Sequence, residues 1–357
     1  MNIAVVVGTR PEIIKLAPLM QQLSGDAQVI YTGQHYDESL AGSFFDAFGM
    51  PRPTAVVEIG GRTRGEQIGR GTTALCTAWQ DQSPDAVVVQ GDTNSALAGG
   101  LAANACDIPL VHLEAGLRSY DRRMPEEHNR VLIDHVSDLL LAPTDNAYRN
   151  LRAEQITAEA AVVGNTIVEA VRSSLPEQEQ RQGVVERHGV AAGAFVLATI
   201  HRPENTDDPQ VLESILRQLG AIDLPVLLAL HPRTRSRLVR FGLEHLLFDV
   251  VELAPLGYGE FLALSAESGL LISDSGGVQE EVSVLKRPLL VIRNSTERPE
   301  VLGTFTKLVP PQQLLVEAER WLSDLPQRHA RLAALPCPYG HGDASRLSAK
   351  LIHEFLR

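Results

Sequence analysis

The sequence predicts an α/β protein with two doubly wound parallel sheets in series, facing a cleft. Three observations carry that reading. Short β-branched or apolar runs alternate with amphipathic stretches along most of the chain, as in parallel sheets covered by helices. The alternation pauses once, over the polar residues 173–193, and then starts again. The polar motifs fall just after strand C-termini, the edge at which open α/β sheets take ligands.

Residues 2–7 form the first strand, and Gly8-Thr9-Arg10-Pro11-Glu12 the turn after it. Pro11 suits the first turn of a helix. That helix runs to about Leu23, with Ile13, Leu16, Ala17, Met20 and Leu23 on one apolar face. The stripe leaves Arg10 at the turn and Lys15 off the buried side. Residues 28–31 are a second strand, ending in Gly33-Gln34-His35. Residues 85–90 are a third, ending in Gly91-Asp92-Thr93 before an alanine-rich helix. Residues 109–113 are a fourth, ending in Glu114-Ala115-Gly116-Leu117-Arg118; a loop leads to Pro125-Glu126-Glu127-His128-Asn129-Arg130 and a helix. Strands at 139–142 and 161–163 close the first series at Gly164-Asn165-Thr166.

The second series has strands at 195–199, 225–230, 250–253, 270–273 and 288–292. Their ends carry His201-Arg202-Pro203-Glu204, His231-Pro232-Arg233, Asp274-Ser275-Gly276-Gly277 and, after Arg293, Thr296-Glu297-Arg298-Pro299-Glu300. Residues 343–357 form a short amphipathic helix with Leu347, Leu351 and Phe355 at helical spacing. The expected domains are 1–170 and 171–342, with a ligand in the cleft between them.

Composition narrows the function. The 357 residues allow one large or two medium domains, and 44% hydrophobic residues supply their cores. No run approaches the roughly 18 apolar residues of a membrane span. The first residues lack a basic region and a cleavage site, so they read as a strand and not a signal peptide. Cys76, Cys106 and Cys337 show neither metal spacing nor a disulfide framework. The expectation is a cytoplasmic protein without metal, cofactor or membrane partner. A net charge of −12 argues against a nucleic-acid surface. Phosphate would have to be gripped locally, by a few arginines and helix N-termini.

The turn Ser275-Gly276-Gly277 offers such a grip. A buried strand precedes it and a helix follows from Val278, so free N–H groups and the helix dipole favour an anion. The plainer alternative is a strand–helix turn that happens to contain glycine. There is no Gly-x-Gly-x-x-Gly after the first strand, no Walker sequence and no Gly-x-Ser-x-Gly elbow, which disfavours nicotinamide enzymes, ATPases and elbow-type hydrolases.

The carboxylates Asp92, Glu114, Glu126 and Glu127 remain, all in the first half. Asp92 alone reads as an N-cap, and Glu126 and Glu127 as complements to a helix dipole. Glu114 follows an apolar strand and precedes Ala-Gly, where neither reading explains it. Acids converging at one sheet edge would raise each other's pKa, which suits proton transfer. Arg10, Lys15, Arg118, Arg130, Arg233, Arg293 and Arg298 are the basic set. Arg10 and Arg298 sit beside proline in rigid turns suited to phosphate; surface ion pairs are the alternative for all seven. His201 is either a core histidine or a diphosphate or proton-transfer group.

These motifs, in this order, resemble those of the non-hydrolysing UDP-N-acetylglucosamine 2-epimerases, over nearly the whole chain. The resemblance implies a glycosyltransferase-B-like fold of two Rossmann-like domains, with the helix 343–357 crossing back onto the first, and a homodimer. It implies reversible conversion of UDP-N-acetylglucosamine to UDP-N-acetylmannosamine, by elimination of UDP to a 2-acetamidoglucal and re-addition. Carried over by motif, Asp92, Glu114 and Glu126 do acid–base work, with His201 near the diphosphate. Arg10, Lys15, Arg130, Ser275, Gly276 and Gly277 surround the UDP-sugar, Glu281 holds the ribose, Arg298 the sugar side and Phe261 the uracil. Tyr36-Asp37-Glu38 departs from the Arg-Glu-Met of many bacterial members, so substrate activation does not carry over with the motif. The His201–Asp208 stretch resembles relatives that process uronic acids, so a C6-oxidised or 3-acetamido UDP-sugar is an alternative substrate. A sugar-nucleotide transferase on the same fold is the rival activity.

Overall fold

The computed structural model describes residues 1–34 and 45–357, and the motif positions from His35 to Glu38 lie outside the described residues. The chain divides into two compact units: Met1–Ala170 with Tyr339–Arg357, and Val171–Pro338.

The first unit holds a seven-stranded sheet in the order β3-β2-β1-β4-β5-β6-β7. Its strands are β1 (Ile3–Val7), β2 (Ala27–Tyr31), β3 (Ala55–Val56), β4 (Ala86–Gln90), β5 (Leu110–Leu113), β6 (Leu139–Ala142) and β7 (Glu159–Val162). All neighbours run parallel. Alternate residues of β1 serve opposite faces, as a pleated strand requires. Ile3, Val5 and Val7 join Ile13, Leu16 and Met20 of helix Arg10–Gln22 and Ile352 of helix Ala344–Phe355. Ala4 and Val6 join Leu75 and Trp79 of helix Arg64–Trp79 and Ala96, Leu97 and Ala102 of helix Asn94–Ala105. The carbonyl of Tyr339 accepts from the Asn165 N–H at 3.0 Å and returns the chain to this unit.

The second unit holds a six-stranded sheet in the order β10-β9-β8-β11-β12-β13. Its strands are β8 (Val196–Thr199), β9 (Val226–Ala229), β10 (Val251–Leu253), β11 (Leu270–Ser273), β12 (Leu289–Val291) and β13 (Thr306–Leu308), again all parallel. Val196, Ala198, Leu270 and Ile272 pack on Leu212, Ile215 and Leu219 and on Trp321.

In each sheet the chain winds outward from one strand in both directions. The first reverses at β1 and β4, the second at β8 and β11. Flanking loops part at such a reversal and leave a crevice beyond the strand C-termini. The turns beginning at Gly8, Gly91, Ile200 and Asp274 all lie there.

Candidate active site

In the first unit, Glu114 is the most constrained residue. It follows β5 in left-handed backbone, at φ 62°. A side chain other than glycine, aspartate or asparagine rarely takes that conformation, and strain of this kind clusters at functional sites. Its buried carboxylate is held by Lys15 Nζ at 2.6 Å, Gln90 Nε2 at 2.9 Å and Asn165 Nδ2 at 3.0 Å. Lys15 is therefore buried, against the single-stripe reading of its helix. Glu12, Lys15 and Leu19 are buried along with Ile13, Leu16 and Met20, because the helix is covered on more than one side.

Asp92 lies at the end of β4 and pairs with Arg130, which also pairs with Glu127. Thr93, not Asp92, caps the next helix, accepting from the Ala96 N–H at 2.9 Å. That frees the Asp92 carboxylate from the capping role. Asn129 Nδ2 donates to the Asp92 carbonyl at 2.8 Å, and the His112 ring joins the Gly91 carbonyl at 2.8 Å. His112 in turn meets the buried Asp134 at 2.7 Å, and Arg118 joins Asp134 at 2.7 Å. These are supports under the strand ends.

Glu126 and Glu127 separate cleanly. Glu127 is buried and accepts from the Ser119 N–H at 2.9 Å and the Tyr120 N–H at 2.9 Å. Burial pushes its pKa up, but those amides and Arg130 hold it below the ordinary glutamate value. It is a structural anion. Glu126 is half-buried on the first turn of helix Pro125–Val136, and among the described residues it has neither hydrogen bond nor ion pair.

The expectation that clustered acids perturb one another gives way to a different arrangement. Glu114 and Asp92 each face a cation. Burial pushes up another carboxyl, Glu12, to about 7. Sequence reading assigned Glu12 no role. Its spacing from Leu16 and Leu19 was the available signal of burial.

In the second unit, Asp274 ends β11 and is fully buried. It accepts from the His201 N–H at 3.0 Å, the Arg202 N–H at 2.9 Å and Asn205 Nδ2 at 2.9 Å, and pairs with His201 Nδ1 at 3.0 Å. Burial raises its pKa, yet the His201 ring, Asn205 and the Arg202 amide hold it below the usual aspartate value. The contact fixes the His201 ring and occupies Nδ1, so Nε2 is the nitrogen left for a ligand. His201 is one-third exposed, and its ring centroid lies 5.1 Å from that of His231.

Helix Gly276–Leu285 starts two residues earlier than its sequence pattern implies, with Ser275 at the N-cap and no side-chain cap. The two glycines have different reasons. A Cβ on Gly276 would stand 3.0 Å from Glu297 Oε1 and 3.5 Å from Arg298. A Cβ on Gly277 would meet nothing closer than Ser275 Oγ at 3.9 Å. Gly277 therefore leaves open space in front of the helix N-terminus. Arg298 is buried, with Nε donating to Glu280 Oε1 at 2.9 Å and NH1 paired with Glu297. Arg293 pairs with the same Glu297 at 2.8 Å. Glu281 accepts from Tyr258 OH at 3.0 Å, and Phe261 is half-buried one turn along from Tyr258. Arg10 opens its helix at the end of β1 and is half-buried.

The structure thus groups Glu114 with Lys15, and Asp92 with Arg130, in the first unit. In the second it collects His201, Asp274 and Ser275 at one sheet reversal. Gln90, Asn165, Asp274 and Asn205 are holders that sequence reading did not assign. Among the described residues no helix is long and apolar enough to cross a membrane, and no group of histidine, cysteine and acidic side chains could hold a metal ion.

Residues 19–353 match the family model for UDP-N-acetylglucosamine 2-epimerase. The chain is 42% identical over 319 residues to the UDP-N-acetylglucosamine 2-epimerase of Methanocaldococcus jannaschii, covering 85% of this chain and 86% of that one. It is 38% identical to the UDP-2,3-diacetamido-2,3-dideoxy-D-glucuronate 2-epimerase of Pseudomonas aeruginosa, covering 90% and 92%. The crystal structure of Methanocaldococcus jannaschii UDP-GlcNAc 2-epimerase in complex with UDP-GlcNAc and UDP superposes with a TM-score of 0.88 at 37% identity, over 99% of this chain and 100% of that one. With the motif order, the two parallel sheets and these likenesses in agreement, the chain belongs to the UDP-N-acetylglucosamine 2-epimerase family, a family of isomerases with the glycosyltransferase-B-like fold.

Proposed function

We propose that this chain interconverts UDP-N-acetylglucosamine and UDP-N-acetylmannosamine. The C2–H bond of the sugar is not next to a carbonyl and is barely acidic. Elimination solves this: a carboxylate takes the C2 proton, the C–H electron pair becomes the C1–C2 double bond, and the C1–O pair leaves with UDP. Proton return to the other face of C2 and re-addition of UDP at C1 complete the inversion without net redox change. The first unit supplies the acids Asp92, Glu114 and Glu126, with Lys15 and Arg130 as counter-charges. The second unit holds UDP: Ser275, Gly276 and Gly277 at the helix N-terminus, with His201, take the diphosphate charge as it develops. Arg10 and Arg298 assist, Glu281 takes the ribose and Phe261 the uracil. The chain is expected to work as a homodimer in the cytoplasm.

The observation that carries the reading is Glu114, a buried glutamate kept in left-handed backbone by three donors. A nucleotide-sugar transferase or sensor has no need for Asp92, Glu114 and Glu126 together. The test is incubation with UDP-N-acetylglucosamine in D2O followed by NMR. Deuterium at C2 of both epimers is expected, and Asp92→Asn, Glu114→Gln and Glu126→Gln should each lower turnover on the order of 10²-fold. Absence of C2 exchange on every UDP-sugar, or near-normal rates in all three variants, refutes it. A second substrate is favoured by the 38% identity to the Pseudomonas aeruginosa enzyme. Higher kcat/KM on a 2,3-diacetamido uronate than on UDP-N-acetylglucosamine would establish that reading instead.

A further inference from the structure

We propose that Glu12 is a positioning residue for this reaction, clamping the turn after β1 to the turn after β4 and so holding Asp92 in place. The proposal rests on the epimerase reading above. β1 and β4 are hydrogen-bonded neighbours at the reversal of the first sheet, where their following turns part. Glu12 spans that gap. One carboxyl oxygen accepts from the Gly8 N–H at 3.1 Å and the Thr9 hydroxyl at 2.7 Å. The other meets the Thr93 hydroxyl at 2.9 Å. Thr93 caps helix Asn94–Ala105, and Asp92 is the residue before it. A shift of Thr93 therefore moves the Asp92 carboxylate and its pairing with Arg130.

Packing alone does not ask for an acid here. Glu12 is 4% exposed, and among the described residues no cation pairs with it. A buried carboxyl without a counter-charge is costly, and its pKa of about 7 registers that cost. The two threonine hydroxyls can each donate or accept. The clamp therefore survives protonation: the neutral acid keeps accepting from Gly8 and Thr9 and donates to Thr93. Glutamine has nearly the same shape: its carbonyl can accept from Gly8 and Thr9 while its NH2 donates to Thr93.

The experiment compares kcat, KM and melting temperature for Glu12→Ala, Glu12→Gln and Thr93→Val. Glu12→Ala should lose about 10²-fold in kcat, with KM within about threefold, as expected for a catalytic group displaced by about 1 Å. Glu12→Gln should recover to within about fivefold of the parent, and in the double variant Thr93→Val should add little to the kcat loss of Glu12→Ala, since the Glu12–Thr93 contact is lost in both single variants. Unchanged kcat in folded Glu12→Ala, or equal loss in folded Glu12→Gln, overturns the proposal. If the parent turns over no UDP-sugar, the epimerase reading fails by itself. Amide exchange then tests the clamp: Ala96, whose N–H bonds to Thr93, should exchange about tenfold faster in Glu12→Ala, and an unchanged rate overturns it.

Discussion

Glu12→Gln should make the first unit more stable than the parent at pH 8 and not at acid pH. The folded protein holds the Glu12 proton up to about pH 7, against an ordinary value of 4.5. Between those values the native state binds more protons than the unfolded chain. Stability therefore falls as pH rises through this window and is flat above it. At about 1.4 kcal/mol per unit the full effect is about 3 kcal/mol, of which about 2 kcal/mol lies between pH 5.5 and 8. Glutamine carries no titratable proton, and every other ionisable group is common to both chains and cancels in the difference. The two tryptophans make the assay local. Trp79 packs in the first unit and Trp321 in the second. Urea unfolding by fluorescence in a Trp321→Phe background follows the first unit alone. The stability gap between Gln and parent should widen by about 2 kcal/mol from pH 5.5 to 8. A gap that is constant, or that narrows, refutes the reasoning that burial without a counter-charge governs this carboxyl.

Two further outcomes concern the second unit. Gly277→Ala places a methyl in open space on a helix, so stability should hold or rise by about 0.5–1 kcal/mol, while KM for the UDP-sugar rises about tenfold if the diphosphate occupies that space. An unchanged KM would remove the ligand from this turn. Asp274→Asn puts an amide NH2 among the donors of His201, Arg202 and Asn205. It should cost about 1–3 kcal/mol for each donor left without an acceptor, read from Trp321 fluorescence in a Trp79→Phe background, and wild-type stability would show that the carboxylate is not needed there.

The central strands were legible because they are buried on both faces and so read as unbroken β-branched or apolar runs. Two of the four edge strands, β3 and β13, were not. Ala55–Val56 and Thr306–Leu308 are two and three residues long, and each pairs on one side only. No period can be counted in so few residues. The candidate site divides the same way. Asp92, Glu114, Ser275 and Gly277 announce themselves by following a strand directly. Glu12 does not, because it stands within the helix and its partner Thr93 is 81 positions away. Asp274 and His201 are 73 apart. Local pattern reports which residues stand at a strand end; only the sheet order reports which strand ends are neighbours.

That sheet order exposes a common device whose pKa is shifted in opposite directions in the two units. At each reversal one buried carboxyl joins the turn after one central strand to the turn after its neighbour: Glu12 across β1 and β4, Asp274 across β8 and β11. Burial pushes both pKa values up, and the surroundings decide the outcome. Asp274 has the His201 ring, a side-chain amide and backbone N–H groups, and it ends below its ordinary value. Glu12 has two hydroxyls and the N–H groups of Gly8 and Thr9 and ends near 7. The difference follows from the partners: an imidazole stands beside Asp274, whereas the groups that meet Glu12 are uncharged. The first unit already carries Asp92 and Glu114 at its strand ends, each matched by one cation. A third, unmatched anion there would oppose both. On the proposed reaction, a clamp that is half-neutral at physiological pH joins the turns while adding little negative charge beside Asp92 and Glu114. The second unit has the converse need. Its anionic clamp orients an imidazole by Nδ1, and on the proposed reaction Nε2 is then the atom that meets the departing diphosphate, with the negative charge of Asp274 on the far side of the ring.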